Sequence, residues 1–421
     1  MSEAGTKGRG LLGRRAAVGF ILVSVWLDVL SLGVIIPVFP PLVQRFEHGD
    51  AAAAGRLIGL FAAAWAAAQF FGAPVLGALS DRFGRRPVLL ISLFGLSADY
   101  LLMAFAPNLG WLFVGRLASG LTAAGMAVAS AYIADVTPPE KRAATFGLIG
   151  AAWGVGFILG PSIGGLLGDI YIRLPFMAAA GLTLVGALYG FFVLPESHAR
   201  ENRVAFDWKK ANPIGSLGFL ASHKALLPLF SVNLLLQFAH NVLPTVFILY
   251  AANRYGWTLK VTGPALALTG VCNIIVQGLL VKRAVALIGE WGMVLAGLVF
   301  GGLGFAIYGL APTGAWFLVG TPVFGLIGLF GPGFQGLITR AVAPSEQGRL
   351  QGANQGLTAL TSIFAPPVLG YVYAWYITPG HPYVPGAAFL MAAALHGLAA
   401  LIAIGVIVRP PRPLAEASQE A

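Results

Sequence analysis

The sequence predicts an all-α polytopic membrane protein, with twelve transmembrane helices in two pseudo-symmetric six-helix halves. Three observations carry that prediction. Of the 421 residues, 57% are hydrophobic and only 10% charged, with a mean hydropathy of +0.81. Soluble domains carry about 25% charged residues, so this surface is too apolar for water. The apolar residues fall in blocks of roughly 20–25, the length that crosses a ~30 Å bilayer core as a helix. The basic residues crowd onto alternate connections, twenty against five, with one more inside a block.

In chain order the blocks lie near 16–38, 55–79, 87–107, 111–134, 144–168, 174–194, 225–252, 261–281, 291–311, 315–339, 350–376 and 386–408. The first is read as a span and not as a cleaved leader. It is long, contains Asp28 and ends in Pro37, Pro40 and Pro41 without a small-residue cleavage site. The second and third are joined by GALSDRFGRRPVLL (77–90), a dense charged turn with Gly77, Asp81, Arg82, Gly84, Arg85 and Arg86. The third and fourth meet near Asn108. The fifth reads GFILGPSIGGLLG, with Gly156, Gly160, Gly164 and Gly168 every fourth residue. That is a small-residue stripe for close helix approach, and Pro161 adds a kink. Residues 195–224 form the longest polar connection, a central cytoplasmic loop separating an N-terminal half, 1–194, from a C-terminal half, 225–421. Spanning helices tolerate Gly and Pro, so the 56 glycines point to tight packing. The single cysteine, Cys272, excludes an internal disulfide and reads as a packed thiol.

Orientation follows from the bases. One side holds Lys7, Arg9, Arg14, Arg15, Arg82, Arg85, Arg86, Lys141, Arg142, Arg200, Arg203, Lys209, Lys210, Lys224, Lys282, Arg283, Arg340, Arg349, Arg409 and Arg412. The other holds Arg45, Arg56, Arg173, Arg254 and Lys260. The positive-inside bias puts both termini in the cytoplasm. The net charge of +10 is then topology, and no nucleic-acid partner is implied.

The halves echo each other at an offset near 205: Gly84 matches Gly289, PPEKR (138–142) matches PSEQGR (344–349), and Pro161 matches Pro366 (366 − 161 = 205). Duplicated halves are how many transporters build a central site that opens to each side in turn.

An ionisable residue inside a bilayer is a functional hypothesis by default. Three lie well inside spans: Asp28, Asp99 and Arg116. Asp99 and Arg116 are nine and eight residues from the turn at Asn108, so at about 1.5 Å per residue their depths agree. Either they form an ion pair pinning two helices, or Asp99 binds and releases a proton under the influence of Arg116. Asp28 reads as a free titrating group or substrate contact. The second half offers no charged residue within its spans but has Gln237, His240 and Asn241 in the seventh and Asn273 and Gln277 one turn apart in the eighth. Gln335, Asn354 and Gln355 follow. Such amides either bond helix to helix or, with Trp65, Trp153, Phe247 and Tyr371, line a cavity for a partly polar, partly aromatic ligand. His240 is as consistent with packing as with proton transfer. Asp81 either latches onto another helix, breaking when the protein changes its facing, or pairs locally with an arginine.

These motifs resemble the major facilitator superfamily, specifically its twelve-span drug/proton antiporters. GALSDRFGRRPVLL looks like the signature between the second and third spans, and RLASG, with Arg116 and Gly120, like the fourth-span signature. GFILGPSIGG, with Gly156, Gly160, Pro161, Gly164 and Gly165, looks like the fifth-span antiporter signature. From about 20 to 400, LDVLSLGVIIPVFPPLV, AYIADVTPPEKRAATFG, LPESH, NRYGW and QGRLQGANQGLTALTS are similar to the tetracycline/proton exporters.

The resemblance implies proton-coupled roles for Asp28, Asp99 and Arg116 and a conformational role for Asp81. It also implies a drug-like small molecule as partner besides protons and lipid, and a bacterial cytoplasmic membrane as location. No cofactor beyond the proton gradient is implied; a tetracycline-like substrate would travel as a divalent-metal chelate. A monomer is expected to suffice. The chain departs from the branch at Gly301, where an Asp is common, and at Asn273, where some members carry a His. The duty of coupling then falls on the first half. A facilitator for a small metabolite is the runner-up, and a non-transporting sensor is favoured by nothing. The scattered histidines and the lack of a nucleophile–base spacing argue against an enzyme.

Overall fold

The computed structural model describes residues 3–123, 125–206 and 218–408, all helices and connections, with no strand among them. Lys209, Lys210, Arg409 and Arg412, and part of the central loop, lie outside the described residues, as do the side chains of Lys7, Arg9, Arg14 and Arg15. Ten helices are long and apolar enough to cross a membrane, or eleven if the bent pair Ile21–Ile35 and Phe39–Phe46 is one span. One of the ten, Leu259–Leu310, runs for 52 residues. At about 1.5 Å per residue that is more than twice a bilayer core, and it is broken inside at Gly289 (φ 66°, ψ −177°). The twelve spans expected from the sequence are reached when this run counts as the eighth and ninth and the bent pair as one span.

Local chemistry sets most of the breaks. The first helix, Glu3–Ile35, stops before Pro37, and a short helix, Phe39–Phe46, restarts after it at 40°. The second span, Ala51–Phe83, and the third, Arg85–Phe105, meet at Gly84, whose φ of 107° is closed to side-chain-bearing residues. Asn108 caps the fourth, Leu109–Thr122, by accepting from the Trp111 amide at 3.2 Å, and the span resumes as Gly125–Val136. The fifth, Pro139–Ile170, begins on a proline, and the sixth is Leu174–Val193. The seventh is two helices, Leu227–His240 and Val242–Tyr255, hinged at Asn241. The eighth, Leu259–Ile275, continues through a π-turn at Val276–Leu280, a local underwinding that includes Gln277. The ninth runs from beyond Gly289 to Leu310. The tenth (Gly314–Gly325, then Phe330–Arg340), eleventh (Gln347–Ile377) and twelfth (Ala387–Val408) complete the chain.

By contact the chain forms two compact units: Met1–Leu42 with Ala64–Asn212 and Leu259–Ala267, and Val43–Ala63 with Pro213–Thr258 and Leu268–Ala421. In the first unit the first span lies against the fifth and sixth, and the third against the sixth. Val25, Val29, Val88, Tyr132 and Ile133 form its core, with the Tyr132 hydroxyl donating to the Pro195 carbonyl at 2.8 Å. In the second unit the ninth span lies against the tenth and twelfth, and the seventh against the eleventh and twelfth. Its core is aromatic. Tyr308 stacks on Phe317 at 3.9 Å and 10°, Phe389 closes the cluster, and the buried hydroxyls are engaged, Tyr250 with the Tyr308 carbonyl (2.7 Å) and Tyr308 with Thr321 (3.2 Å). Phe247 is 2% exposed and belongs to this core, so it is not free to line a ligand cavity.

Candidate functional site

The first unit brings Asp28, Asp99 and Arg116 together, all three within electrostatic reach of the buried Tyr100. Asp99 is 3% exposed; neither of its carboxylate oxygens makes a well-formed hydrogen bond, and the Ser119 hydroxyl is the one side-chain donor near enough to act on it. It fits because residue 115 is glycine: a Cβ there would stand 2.9 Å from Oδ1. Arg116 does not close an ion pair with it. Its guanidinium lies over the Phe39 ring at 4.5 Å and the Trp65 ring at 5.8 Å, with Nε buried and unpartnered. Gly120 makes that placement possible, since a Cβ there would lie 2.5 Å from the Trp65 carbonyl oxygen. Of the two sequence readings of this pair, the static ion pair is not what the side chains form.

Asp28 borders a small cavity between the first, third, fourth and sixth spans, shared with Ser24, Ser92 and Thr122. Water centres can occupy about 30 Å³ of it, room for roughly two waters. Ser92 Oγ is buried there without a partner.

The charged turn is held by a network centred on Arg85. Its Nη1 meets Asp81 at 2.5 Å and Ser80 Oγ at 2.6 Å, and its Nε meets Asp135, at the end of the fourth span, at 3.3 Å. Glu196 caps the third span by accepting from the Arg85 amide at 2.9 Å. A Cβ on Gly84 would collide with that carboxylate. Arg86 reaches the Phe191 carbonyl at 2.5 Å, and Arg82 lies over the Phe83 ring at 5.1 Å. In this conformation Asp81 makes the local pair, one of its two expected roles. Gly77 differs from expectation: a Cβ there would meet nothing within 4 Å, so it serves no close approach.

The fifth-span glycines divide between two neighbours. Gly156, Gly160 and Gly164 face the first span, where a Cβ on Gly160 would sit 2.6 Å from the Gly33 Cα. Gly165 and the Pro161 carbonyl face the eighth; a Cβ on Gly165 would sit 3.0 Å from the Gly263 Cα. In the second unit Gly370, 205 residues on (370 − 165), crosses the second span in the same way, and a Cβ on Gly59 would stand 2.6 Å from the Pro366 carbonyl.

The second-unit amides mostly bond helix to helix. Asn233 donates to Asn354 at 2.9 Å and, one turn on, Gln237 to Thr358 at 3.4 Å, tying the seventh span to the eleventh. Asn241 donates to the Gln237 carbonyl at 2.8 Å across the hinge. Gln277 donates to Asn273 at 2.5 Å, and Gln335 to Gln351 at 3.1 Å. His240 is exposed and stacks on Phe324 with ring centres 5.9 Å apart. The structure adds residues that the sequence did not single out: Asp135, Glu196, Ser92, Asn233 and His396. The first two sit in motifs already quoted, AYIADVTPPEKR and LPESH, but their partners are distant in sequence.

The model of the Major Facilitator Superfamily matches residues 21–331. Among curated proteins, the class C tetracycline resistance protein of Escherichia coli is 38% identical over 84% of this chain and 89% of its own length. The class D protein of Salmonella ordonez is 34% identical over 94% and 97%. Multidrug resistance protein 2 of Bacillus subtilis is 28% identical over 84% and 88%. Among solved structures, the nucleoside transporter NupG superposes with a TM-score of 0.77 at 14% identity, covering 93% of this chain and 99% of its own. A human organic anion transporter gives 0.68 at 22% identity, covering 93% and 99%.

Proposed function

Because the chain belongs to the major facilitator superfamily, a family of transporters and not of enzymes, we propose that it exports a drug in exchange for protons by alternating access. The substrate is a tetracycline-like or other amphipathic molecule, and the site is a bacterial cytoplasmic membrane with both termini inside. A small-molecule substrate and a multi-pass membrane setting follow from the relatives; the coupling ion and the drug class are the added claims.

One observation carries the reading: Asp99 is buried inside a span with no cation closed on it and no well-formed hydrogen bond to its carboxylate. A bare carboxylate at mid-membrane costs about 2.5–3.5 kcal/mol on insertion scales, and a proton removes that cost. Loss of the proton leaves an anion that the guanidinium of Arg116, on the residue next to Gly115, is placed to stabilise. Asp28, with its own small cavity, supplies a second carboxylate in the same neighbourhood. If proton and drug favour opposite facing states, their fluxes are linked without ever meeting. Asp81 and its arginine then act as the part of the charged turn that tightens and loosens between states. A tetracycline-like drug is carried as its divalent-metal chelate, the ion being cargo.

Everted vesicles test the reading. Tetracycline with Mg²⁺ should release protons from energised wild-type vesicles, and Asp99→Asn or Asp28→Asn should cut that release at least tenfold while the protein still inserts. Unchanged release in both variants overturns the assignment.

A further inference from the structure

The cavity beside Asp28 lies wholly within the first unit, and Asp28 is the one ionisable group among the residues lining it. Ser24, four residues earlier, shares its helix face one turn nearer the charged turn. Ser92 lines the cavity from the third span, seven residues (92 − 85), or about 10 Å, in from Arg85. Thr122 lines it from the fourth span. Its Oγ1 donates to the carbonyls of Ala118 and Ser119 at 3.0 and 3.2 Å, which leaves it free to accept. Towards the charged turn the lining is apolar: Ile21, Leu89 and Leu194, the last capping the sixth span. These three are 1%, 5% and 4% exposed, so the floor is closed in this conformation.

A cavity walled by hydrocarbon alone stays dry, whereas one with several polar groups holds water. Here a carboxylate and three hydroxyls line room for roughly two waters. Ser92 marks where one would be held. Its Oγ is buried with no protein partner, a state that costs stability unless water meets the hydroxyl. Gly125 keeps that hydroxyl clear, since a Cβ there would stand 3.2 Å from the Ser92 Cβ and 3.5 Å from its Oγ. Two waters spaced at about 2.8 Å extend a hydrogen-bonded chain roughly 8 Å from a carboxylate. Ile21 lies seven residues (28 − 21), about 10 Å, along the first span from Asp28. Such a chain therefore ends at the apolar floor.

We propose that this cavity is a hydrated exit through which protonated Asp28 gives up its proton to the cytoplasmic side, with Ser92 the positioning residue that anchors its waters. The Asp28 O–H bond breaks and leaves its electron pair on the carboxylate. The first water takes that proton and passes one of its own to the second. The second hands one on to the cytoplasm when Ile21, Leu89 and Leu194 part, so each water ends with the two hydrogens it began with. The proposal rests on the antiport reading above and deepens it, by giving the coupling proton a route inside the first unit.

Two measurements separate this proposal from that reading. The first follows deuterium exchange at protonated Asp28 through its infrared C=O stretch, in purified protein in lipid, with the band assigned by difference from Asp28→Asn. Ser92→Val, which fills the cavity and removes the hydroxyl, should slow exchange at least tenfold. Ser92→Ala, which removes the hydroxyl alone, should slow it about threefold without lowering the melting temperature, because no protein group loses a partner. Exchange as fast as wild type in Ser92→Val overturns the proposal whether or not drug transport is proton-linked. A melting temperature that falls in Ser92→Ala while exchange stays unchanged would make Ser92 a packing residue. The second measurement is the rate of proton release from everted vesicles on adding tetracycline with Mg²⁺. Ser92→Val should lower that rate at least fivefold with drug counterflow retained; a rate equal to wild type means that the proton leaves by another way. If wild-type vesicles move drug with no proton release at all, the antiport reading falls and deuterium exchange alone decides whether the cavity carries the Asp28 proton.

Discussion

The charged turns after the second and eighth spans are one structure built twice with opposite signs. Gly84 and Gly289 stand 205 residues apart and share a positive φ with an extended ψ (107°, 156° and 66°, −177°). The residue after each glycine reaches to the end of the span two further on. In the first turn this is Arg85 on Asp135 at 3.3 Å; in the second it is Glu290 on Arg340 at 2.9 Å. Arg85 and Glu290 are 205 apart, as are Asp135 and Arg340 (340 − 135 = 205). The repeat has kept the bridge and exchanged its charges. What closes the turn is therefore the geometry of one guanidinium on one carboxylate, which is indifferent to which end supplies which. What is not repeated is Asp81, whose counterpart is Ala286. Only the first turn has a second acid on its arginine, and only there is the bridge sheltered. Arg85 is 11% exposed, whereas Arg340 is 78% exposed.

That difference ranks the outcomes of breaking each turn. Arg85→Ala should cost most, about 2 kcal/mol, because it takes the shared cation from Asp81 and Asp135, although Asp135 keeps the Ser197 hydroxyl. Thermal melting in detergent reads the loss directly. Copying the second turn into the first, by Asp81→Ala, Arg85→Glu and Asp135→Arg together, should restore most of the melting temperature. Arg85→Glu with Asp135→Arg alone should not, because Asp81 would then oppose the new acid. If the double and triple variants melt together, Asp81 is not what sets the two turns apart.

Alanine at the two glycines gives a smaller, graded effect. Gly289→Ala should cost about 1–2 kcal/mol from backbone strain alone, since a Cβ there meets nothing within 4 Å. Gly84→Ala should cost more, because its Cβ also strikes Glu196. Equal melting shifts would mean that Glu196 gives way freely. The smallest change belongs to Glu290→Gln. Its partner is largely in solvent, so the loss should stay under about 1 kcal/mol and shrink further in high salt.

Much of this architecture was legible in the sequence, because a bilayer demands long apolar runs and punishes stray charge. The blocks and the charged turn both follow from that demand. Which side chains meet does not. Arg85 and Asp135 are fifty residues apart, and a search for like residues at a fixed offset passes over a repeat whose charges are exchanged. Asn233 is one more polar residue in an apolar run, and only Asn354 opposite it makes it a tie between helices. Phe247 read as a candidate lining residue because sequence gives periodicity but not which face the core takes. His396 is one histidine in an apolar run, and the room for its ring comes from two glycines of another helix. Gly77 shows the converse: a glycine in a motif that no neighbour crowds.

The backbone crossings at Gly160 on Gly33, Gly165 on Gly263 and Gly370 on Gly55 place main chain against main chain. Such a contact has no rotamers to melt or refreeze when the helices slide, and no knobs to lift out of holes. Its cohesion comes from dispersion and weak Cα–H···O contacts, each worth about 0.5–1 kcal/mol. A joint of this kind behaves as a plain bearing: it holds load across its face and offers little friction along it.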